Sequence, residues 1–360
     1  MQILNLKLIN FRNYSKLELD FSPNKNIIIG KNGMGKTNIV EAIYVLALTK
    51  SFRGQSDNIL IKENEDMLRV SADIKKTFID NYQIVITKDE KRVSVNKTRV
   101  KKLSDYVSNI NVVLFSVDDL RLIKDTPSTR RKLINIELSQ MNNEYLNLVN
   151  TYNKLIKQRN SYLKTLLFNN YASCDYLEII TDKVIEVGLK IYEIRKDYFD
   201  KINPYIKDIY ENITGCKDLK IDYLSDFKLD KEKIKAKYKH YEEKDINFTK
   251  THYGVHHDDF IFIKDGNILR DYGSEGEQKN AIIALKLAEL RLFSEINGDT
   301  PILILDDLFS ELDSEKINNV LKFIPEDVQT FITTTELNKV KKSLVNKSKV
   351  IKVINGRVED

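Results

Sequence analysis

The chain has 360 residues, 42% hydrophobic and 31% charged, with a formal net charge of +5. That composition suits a soluble globular protein large enough for two lobes, and the mild positive balance leaves the case for a polyanionic partner to the distribution of charge. Two cysteines, Cys174 and Cys216, without metal-ligand spacing or a disulfide framework point to a reducing, cytoplasmic setting.

The opening "MQILNLKLINFRNY" lacks the apolar centre and small-residue cleavage site of a signal peptide, and no apolar stretch approaches the roughly 18 residues of a membrane span. "YSKLELDF" alternates Tyr14, Leu17, Leu19 and Phe21, as a half-buried strand does. "NIIIG" reads as a strand buried on both faces, and "NIVEAIYVLALTKSF" as a helix. "YQIVITKDEKRVSVN" and "NVVLFSVDDL" read as further strands, so residues 1–128 form an α/β lobe.

Between strand and helix, Gly30, Gly35, Lys36 and Thr37 fit G-x-x-x-x-G-K-[ST]. Gly30, Gly33 and Gly35 let successive N–H groups turn inward, and the helix N-terminus adds its positive end. Lys36 suits β- and γ-phosphate oxygens, and the Thr37 hydroxyl suits Mg²⁺. Asn32, Met34 and Asn38 complete the expected nucleotide loop.

From residue 131 a heptad seam runs through Ile134, Leu138, Met141, Tyr145, Leu148, Tyr152 and Leu155 to Leu166, interrupted by Arg159. After the turn "NNYASCD" a second seam runs from Leu177 to Tyr198, so an antiparallel helical hairpin is expected. Pro204 is expected to end the second helix or to open another. Residues 219–250 read as charged and irregular, with a solvated helix face at "KEKIKAKYKHYEEK", and 129–250 as a helical arm domain. In 251–360, "DFIFIKDG", "PILILDDLF" and "VQTFITTTE" read as strands and "NAIIALKLAELRLFSEI" as a helix, returning the chain to the head.

"PILILDDLFSELD" puts two carboxylates at a strand end. Asp306 is placed to hold Mg²⁺ and Asp307 to orient or deprotonate an attacking water. In "DYGSEGEQK", Ser274, Gly276 and Gln278 offer a second anion site before a helix. Two such sites suggest that each subunit's serine loop covers the γ-phosphate held by the other under two-fold symmetry.

The order phosphate loop, helical insertion, serine loop, Asp-Asp strand, "SELD" loop resembles ABC-type ATPase heads. With "NFRNY", "GKNGMGKTNIVEAIYVLALTKSFR", "TRRKLINIELSQMNNEYLNLVNTYNKLIKQRN", "GSEGEQK" and "DDLFSELD", the whole chain resembles the RecF family of recombinational repair ATPases. The resemblance implies an α/β ABC-type head with an inserted helical arm. It implies ATP and Mg²⁺ at Lys36, Thr37 and Asp306, Asp307 as the catalytic carboxylate, and Arg12 as a nucleotide contact. Ser274 faces the partner's nucleotide, and Asp313 lies in the loop that crosses the interface. The implied activity is slow, DNA-stimulated ATP hydrolysis. It governs dimerisation on double-stranded or gapped DNA during repair, replication-fork maintenance and recombinase loading, with RecO and RecR as further partners.

The chain departs from the family pattern where His257 replaces an arginine, where "FSVDDL" stands in place of Ser-Pro-Glu-Asp-Leu, and where Glu275 and Glu277 make the serine loop acidic. Thr334 or Thr335 stands where transporter heads sense γ-phosphate with histidine. The lysine- and arginine-rich stretches "KDEKRVSVNKTRVKK", "KKSLVNKSKVIK" and "STRRK" suit phosphate contacts without base readout. A transporter energy subunit, an SMC-type chromosome-organising ATPase and a metabolic phosphate-loop kinase are the rival readings.

Overall fold

The structure is a computed structural model that describes every residue except Gln55, Asn170, Leu229, Glu311, Asp313, Asn338, Lys339, Lys341 and Asp360, and except the side chains of Ser314, Glu315 and Ser343. In chain order the first elements are β1 (Gln2–Ile3), β2 (Asn5–Phe11), β3 (Tyr14–Asp20), β4 (Lys25–Ile29), α1 (Lys36–Leu48), β5 (Met67–Lys75), β6 (Ile79–Thr87), β7 (Lys91–Val95), β8 (Thr98–Arg99), α2 (Ser104–Val107) and β9 (Val112–Ser116). Next come α3 (Pro127–Met141), α4 (Asn143–Phe168), α5 (Cys174–Thr214), β10 (Leu219–Leu224), α6 (Lys231–Phe248), β11 (Asp259–Lys264), β12 (Asn267–Ile268), α7 (Leu269–Tyr272) and α8 (Glu275–Asn297). The chain closes with β13 (Ile302–Asp306), α9 (Ser314–Phe323), β14 (Thr330–Thr334), α10 (Lys342–Val345), β15 (Ser348–Ile354) and β16 (Arg357–Glu359).

The chain divides into two compact units. The first holds Met1–Arg121, Ile209–Gly215 and Ile282–Asp360 and carries two sheets. One is antiparallel, in the order β3-β2-β5-β6-β7-β8, with β1 beside β5. Its strands alternate: Leu6, Leu8, Val70, Ile84 and Val93 are buried, while the residues between them face out. The other sheet, β16-β15-β4-β14-β13-β9, is parallel apart from the β15–β16 hairpin. Its central strands β13 and β14 are buried at every residue, as a sheet covered on both faces requires. This order puts the ends of β4 and β13 one strand apart, across β14. The phosphate loop and the Asp-Asp pair follow those two ends.

The second unit, Leu122–Asp208 and Cys216–Ala281, is the helical one. The expected hairpin is present as α4 and α5. The long seam from residue 131 is not one helix, however. Asn142 adopts an extended conformation, φ −144° and ψ 107°, and its side chain accepts from the Tyr145 N–H. It therefore caps α4 and separates it from α3. Pro204 neither ends α5 nor opens a new helix; it sits inside a 41-residue helix. Next to it, Asn203 donates to the Ile221 carbonyl at 2.9 Å and accepts from the Ile221 N–H at 2.7 Å, fastening that turn to β10. Among its described residues the 219–250 stretch is regular rather than irregular. It forms β10 and α6, which buries Ile234, Tyr238 and Asp245.

Arg159, the polar break in the seam, is 1% exposed and pairs with the fully buried Asp245 at 2.6 Å. It also donates to Thr181 and Thr251. Removing one partner of such a pair leaves an uncompensated buried charge. Arg195 pairs similarly with Asp258 at 2.8 Å.

The "VHHDDF" stretch lies in this network. His256 accepts from the Tyr152 hydroxyl at Nδ1, 2.9 Å, and its Nε2 lies 3.2 Å from the Thr251 carbonyl. His257 places Nε2 3.3 Å from the same carbonyl, so its imidazole is engaged inside its own unit. Burial, reinforced by His257, pushes His256 down to about 4. The unfolded chain takes up a proton near pH 6.5 that the fold refuses until about pH 4, so stability is lost as pH falls through that window. For His256 alone the expected loss between pH 7 and pH 5 is about 2 kcal/mol. Urea unfolding at the two pH values measures it, and His256→Gln is expected to shrink the difference.

Candidate nucleotide site and serine loop

β4 ends at Ile29, and the chain turns at Gly30, where an added Cβ would lie 2.4 Å from the Val353 carbonyl oxygen on β15. Gly33 and Gly35 have φ of +78° and +110°, in the left-handed region that glycine occupies without strain. The Met34 carbonyl accepts from the Gly356 N–H at 3.1 Å and the Gly35 carbonyl from the Tyr14 hydroxyl at 3.2 Å. Each peptide unit is planar and trans, so its N–H points opposite to its C=O. Drawing those two carbonyls outward therefore turns the Gly35 and Lys36 N–H groups to the other side, as an anion cradle needs. Lys36 crosses the loop, its Nζ 3.0 Å from the Lys31 carbonyl. Burial lowers its pKa, and the charges of Asp307 and Asp306 oppose that fall.

The Thr37 hydroxyl donates to Asp306 Oδ1 at 3.0 Å, and the Thr333 hydroxyl donates to the same oxygen at 2.7 Å. Asp306 is 8% exposed; burial raises its pKa, while the two hydroxyls hold it down. Asp307 turns the chain with φ +52°, and its N–H donates to Thr333 Oγ1 at 2.9 Å. A hydroxyl beside a carboxylate, next to a phosphate loop, is a donor set that fits Mg²⁺ shared with phosphate oxygens.

Sequence reasoning missed the residues that hold this geometry. Thr333 lies beside Asp306 through the parallel register of β13 and β14. Glu41 is 0% exposed on α1 and accepts from Arg12 at 2.9 and 2.7 Å and from Ser51 at 2.6 Å. Its only sequence signal is a lone acid inside the apolar run "IVEAIYVLAL". The structure thus directs Arg12 to the helix behind the loop, with a further bond to the Ile59 carbonyl. Asn38 donates to Asn13 and accepts from Arg53. Thr334 is buried, its hydroxyl donating to the Glu336 carbonyl, whereas Thr335 is exposed.

The serine loop belongs to the second unit. Ser274 is followed by α8, and the Glu277 carboxylate accepts from the Ser274 N–H at 2.8 Å and hydroxyl at 3.0 Å. The Glu277 N–H returns a bond to Ser274 Oγ at 3.3 Å, completing a reciprocal cap. Lys264 lies 3.0 Å from Glu277, and together with the Ser274 donors it holds this carboxyl down to about 2. Glu277 therefore shares the Lys264 cation with Asp265 and shapes the serine loop. Gln278 is 4% exposed and gives its amide to the carbonyls of Leu269, Arg270 and Gly273, which fixes the turn before the serine. Gly276 would accept a Cβ with nothing within 4 Å. Asp313 lies outside the described residues.

The model of the RecF/RecN/SMC N terminal domain matches residues 2–359. The "DNA replication and repair protein RecF" of Listeria innocua is 36% identical over 368 residues, covering 100% of both chains. That of Clostridium perfringens is 36% identical over 365 residues, again covering both completely. A solved structure described as "the recombination mediator protein RecF-ATP in RecFOR pathway" superposes with a TM-score of 0.92 at 30% identity, covering 99% of this chain and 97% of that one. The Smc head domain of Pyrococcus furiosus, 16% identical with a TM-score of 0.54, shares the ABC-type head fold. This chain belongs to the RecF family.

Proposed function

We propose that this protein is an ATP-driven clamp of DNA replication and repair. The observation that supports it is the presence, in one chain, of a phosphate loop backed by Thr37 and Asp306 and of a serine loop at a helix N-terminus, shaped by Glu277 and Gln278. Lys36 and the loop amides bind the triphosphate of one copy, and Ser274 with Gly276 covers its γ-phosphate from a second. Thr37 and Asp306 would hold Mg²⁺, which would neutralise charge on the triphosphate. Asp307 orients and deprotonates the attacking water. Pairing and nucleotide binding are then linked equilibria, and turnover is slow because the set is complete only in the pair.

The nucleotide-bound pair holds duplex or gapped DNA and works beside recombination mediators, consistent with relatives described within the RecFOR pathway. An SMC-type organising role is disfavoured by arm length: α4 and α5 have 26 and 41 residues, about 39 and 62 Å.

The chain has no tryptophan, and Tyr272, two residues before Ser274, is 79% exposed. Tyr272→Trp therefore creates a sole indole reporter at the serine loop. Its emission is expected to shift when ATP drives sedimentation from monomer to dimer. With Lys36→Ala added, neither change is expected; mixing that double variant with excess wild type restores the shift. An emission insensitive to ATP in a sample that dimerises would remove the serine loop from the interface.

A further inference from the structure

The open face of the antiparallel sheet carries a pattern that the two anion sites do not use. Register places Lys16, Ile9, Arg69, Val85 and Arg92 in one row across β3, β2, β5, β6 and β7. The next row runs Glu18, Lys7, Ser71, Gln83, Ser94 and Arg99. Directly opposed residues share a face, and Lys16, Arg69, Arg92 and Arg99 are all exposed on it. At about 4.8 Å per strand, the first row extends about 19 Å, with a cation on every second strand.

Some of this charge is matched. Glu18 pairs with Lys7, and Glu90 pairs with Arg92 and reaches Arg99 at 3.8 Å. Among the described residues, Lys16 and Arg69 have no carboxylate partner. A shallow cavity of about 400 Å³ opens over Met67, Arg69, Val85, Arg92 and Arg99, with Glu90 as its one acid.

We propose that this sheet face binds the phosphate backbone of duplex DNA. The proposal rests on the clamp reading and names the surface that serves it. About 19 Å corresponds to roughly six base pairs at 3.4 Å each. Between the cations stand serine, glutamine and aliphatic side chains, which contact phosphate or fill space. Neither row holds an aromatic residue, so there is no platform for stacking unpaired bases. The surface is thus suited to a duplex backbone and indifferent to sequence.

The test uses the full chain and a labelled 30-base-pair duplex, with anisotropy measured between 50 and 200 mM NaCl, with and without ATP. Lys16→Gln combined with Arg69→Gln is expected to lower the slope of log affinity against log salt by about 1.8, or about 0.9 per phosphate contact. The affinity lost across that salt range then shrinks by about twelvefold relative to wild type. Lys16→Arg with Arg69→Lys is expected to keep the slope, since a phosphate needs only the charge. An unchanged slope in the glutamine variant overturns the proposal. So does a glutamine variant that loses binding of a polyglutamate peptide while its DNA slope stays intact, which would assign the face to an acidic protein segment. Sedimentation with ATP reads the clamp separately: a lowered slope in a protein that never pairs upholds the surface and sinks the clamp.

Discussion

Asp307→Asn is expected to lower ATP hydrolysis by about 10²- to 10⁴-fold, the usual contribution of a positioned general base. Asparagine is the informative substitute for a backbone reason. Residue 307 sits at φ +52°, where asparagine is tolerated nearly as well as aspartate. Its N–H bond to Thr333 and the bonds its carbonyl accepts from Ser310 do not involve the carboxylate. These backbone bonds therefore survive, while the charge and basicity at the strand end are lost. Alanine would add backbone strain to the chemical defect. The lost charge also removes one of the two carboxylates that support the Lys36 cation. Binding is retained through Asp306 and the loop amides, so the nucleotide-bound pair accumulates. Single-turnover phosphate release should fall while the ATP-induced dimer fraction rises. Release at the wild-type rate would transfer the role of base to another residue.

The phosphate loop was legible because everything it needs is contiguous: a buried strand, glycines that permit positive φ, a lysine, a threonine and a helix within about twenty residues. What holds it was not. Thr333 acts on Asp306 only because β14 runs parallel between β4 and β13, and nothing within "FITTTE" states that register. Tyr14 and Gly356 support the loop from 21 and 322 residues away. Arg12 resembled a nucleotide contact, yet its partner Glu41 was hidden as one acid in an apolar helix. In the arm, the heptad seam announced helices but not the break at Asn142, because apolar spacing continues across a cap that a single side-chain bond creates. Pro204 argued for an end to the helix or the start of another, and Asn203, bonded twice to Ile221, shows what keeps the turn in place. Glu277 looked like a charge facing phosphate. Its spacing from Ser274 is that of a capping box, a signal present in the sequence and outweighed by attention to charge.

That cap leads to the second expectation. Gly276 lies in the first turn of α8, has no positive φ, and has open space where a Cβ would go. Nothing inside the chain calls for glycine there, and glycine costs a helix up to about 1 kcal/mol relative to better helix formers. Gly276→Gln is therefore expected to leave thermal stability unchanged or slightly raised. If a second copy's triphosphate approaches this backbone, the added side chain stands in its path. Steric overpacking of a fitted contact costs about 1–3 kcal/mol, so pairing should weaken by about 5- to 150-fold. ATP binding to the monomer stays intact, because Lys36, Thr37 and the loop amides are untouched. Lys36→Ala is the contrasting variant, losing ATP binding and pairing together. Equilibrium ATP binding and sedimentation on the same samples separate the two defects. A Gly276→Gln protein that pairs at the wild-type ATP and protein concentrations would mean that no neighbour comes close to this turn, and the shared site would have to be abandoned.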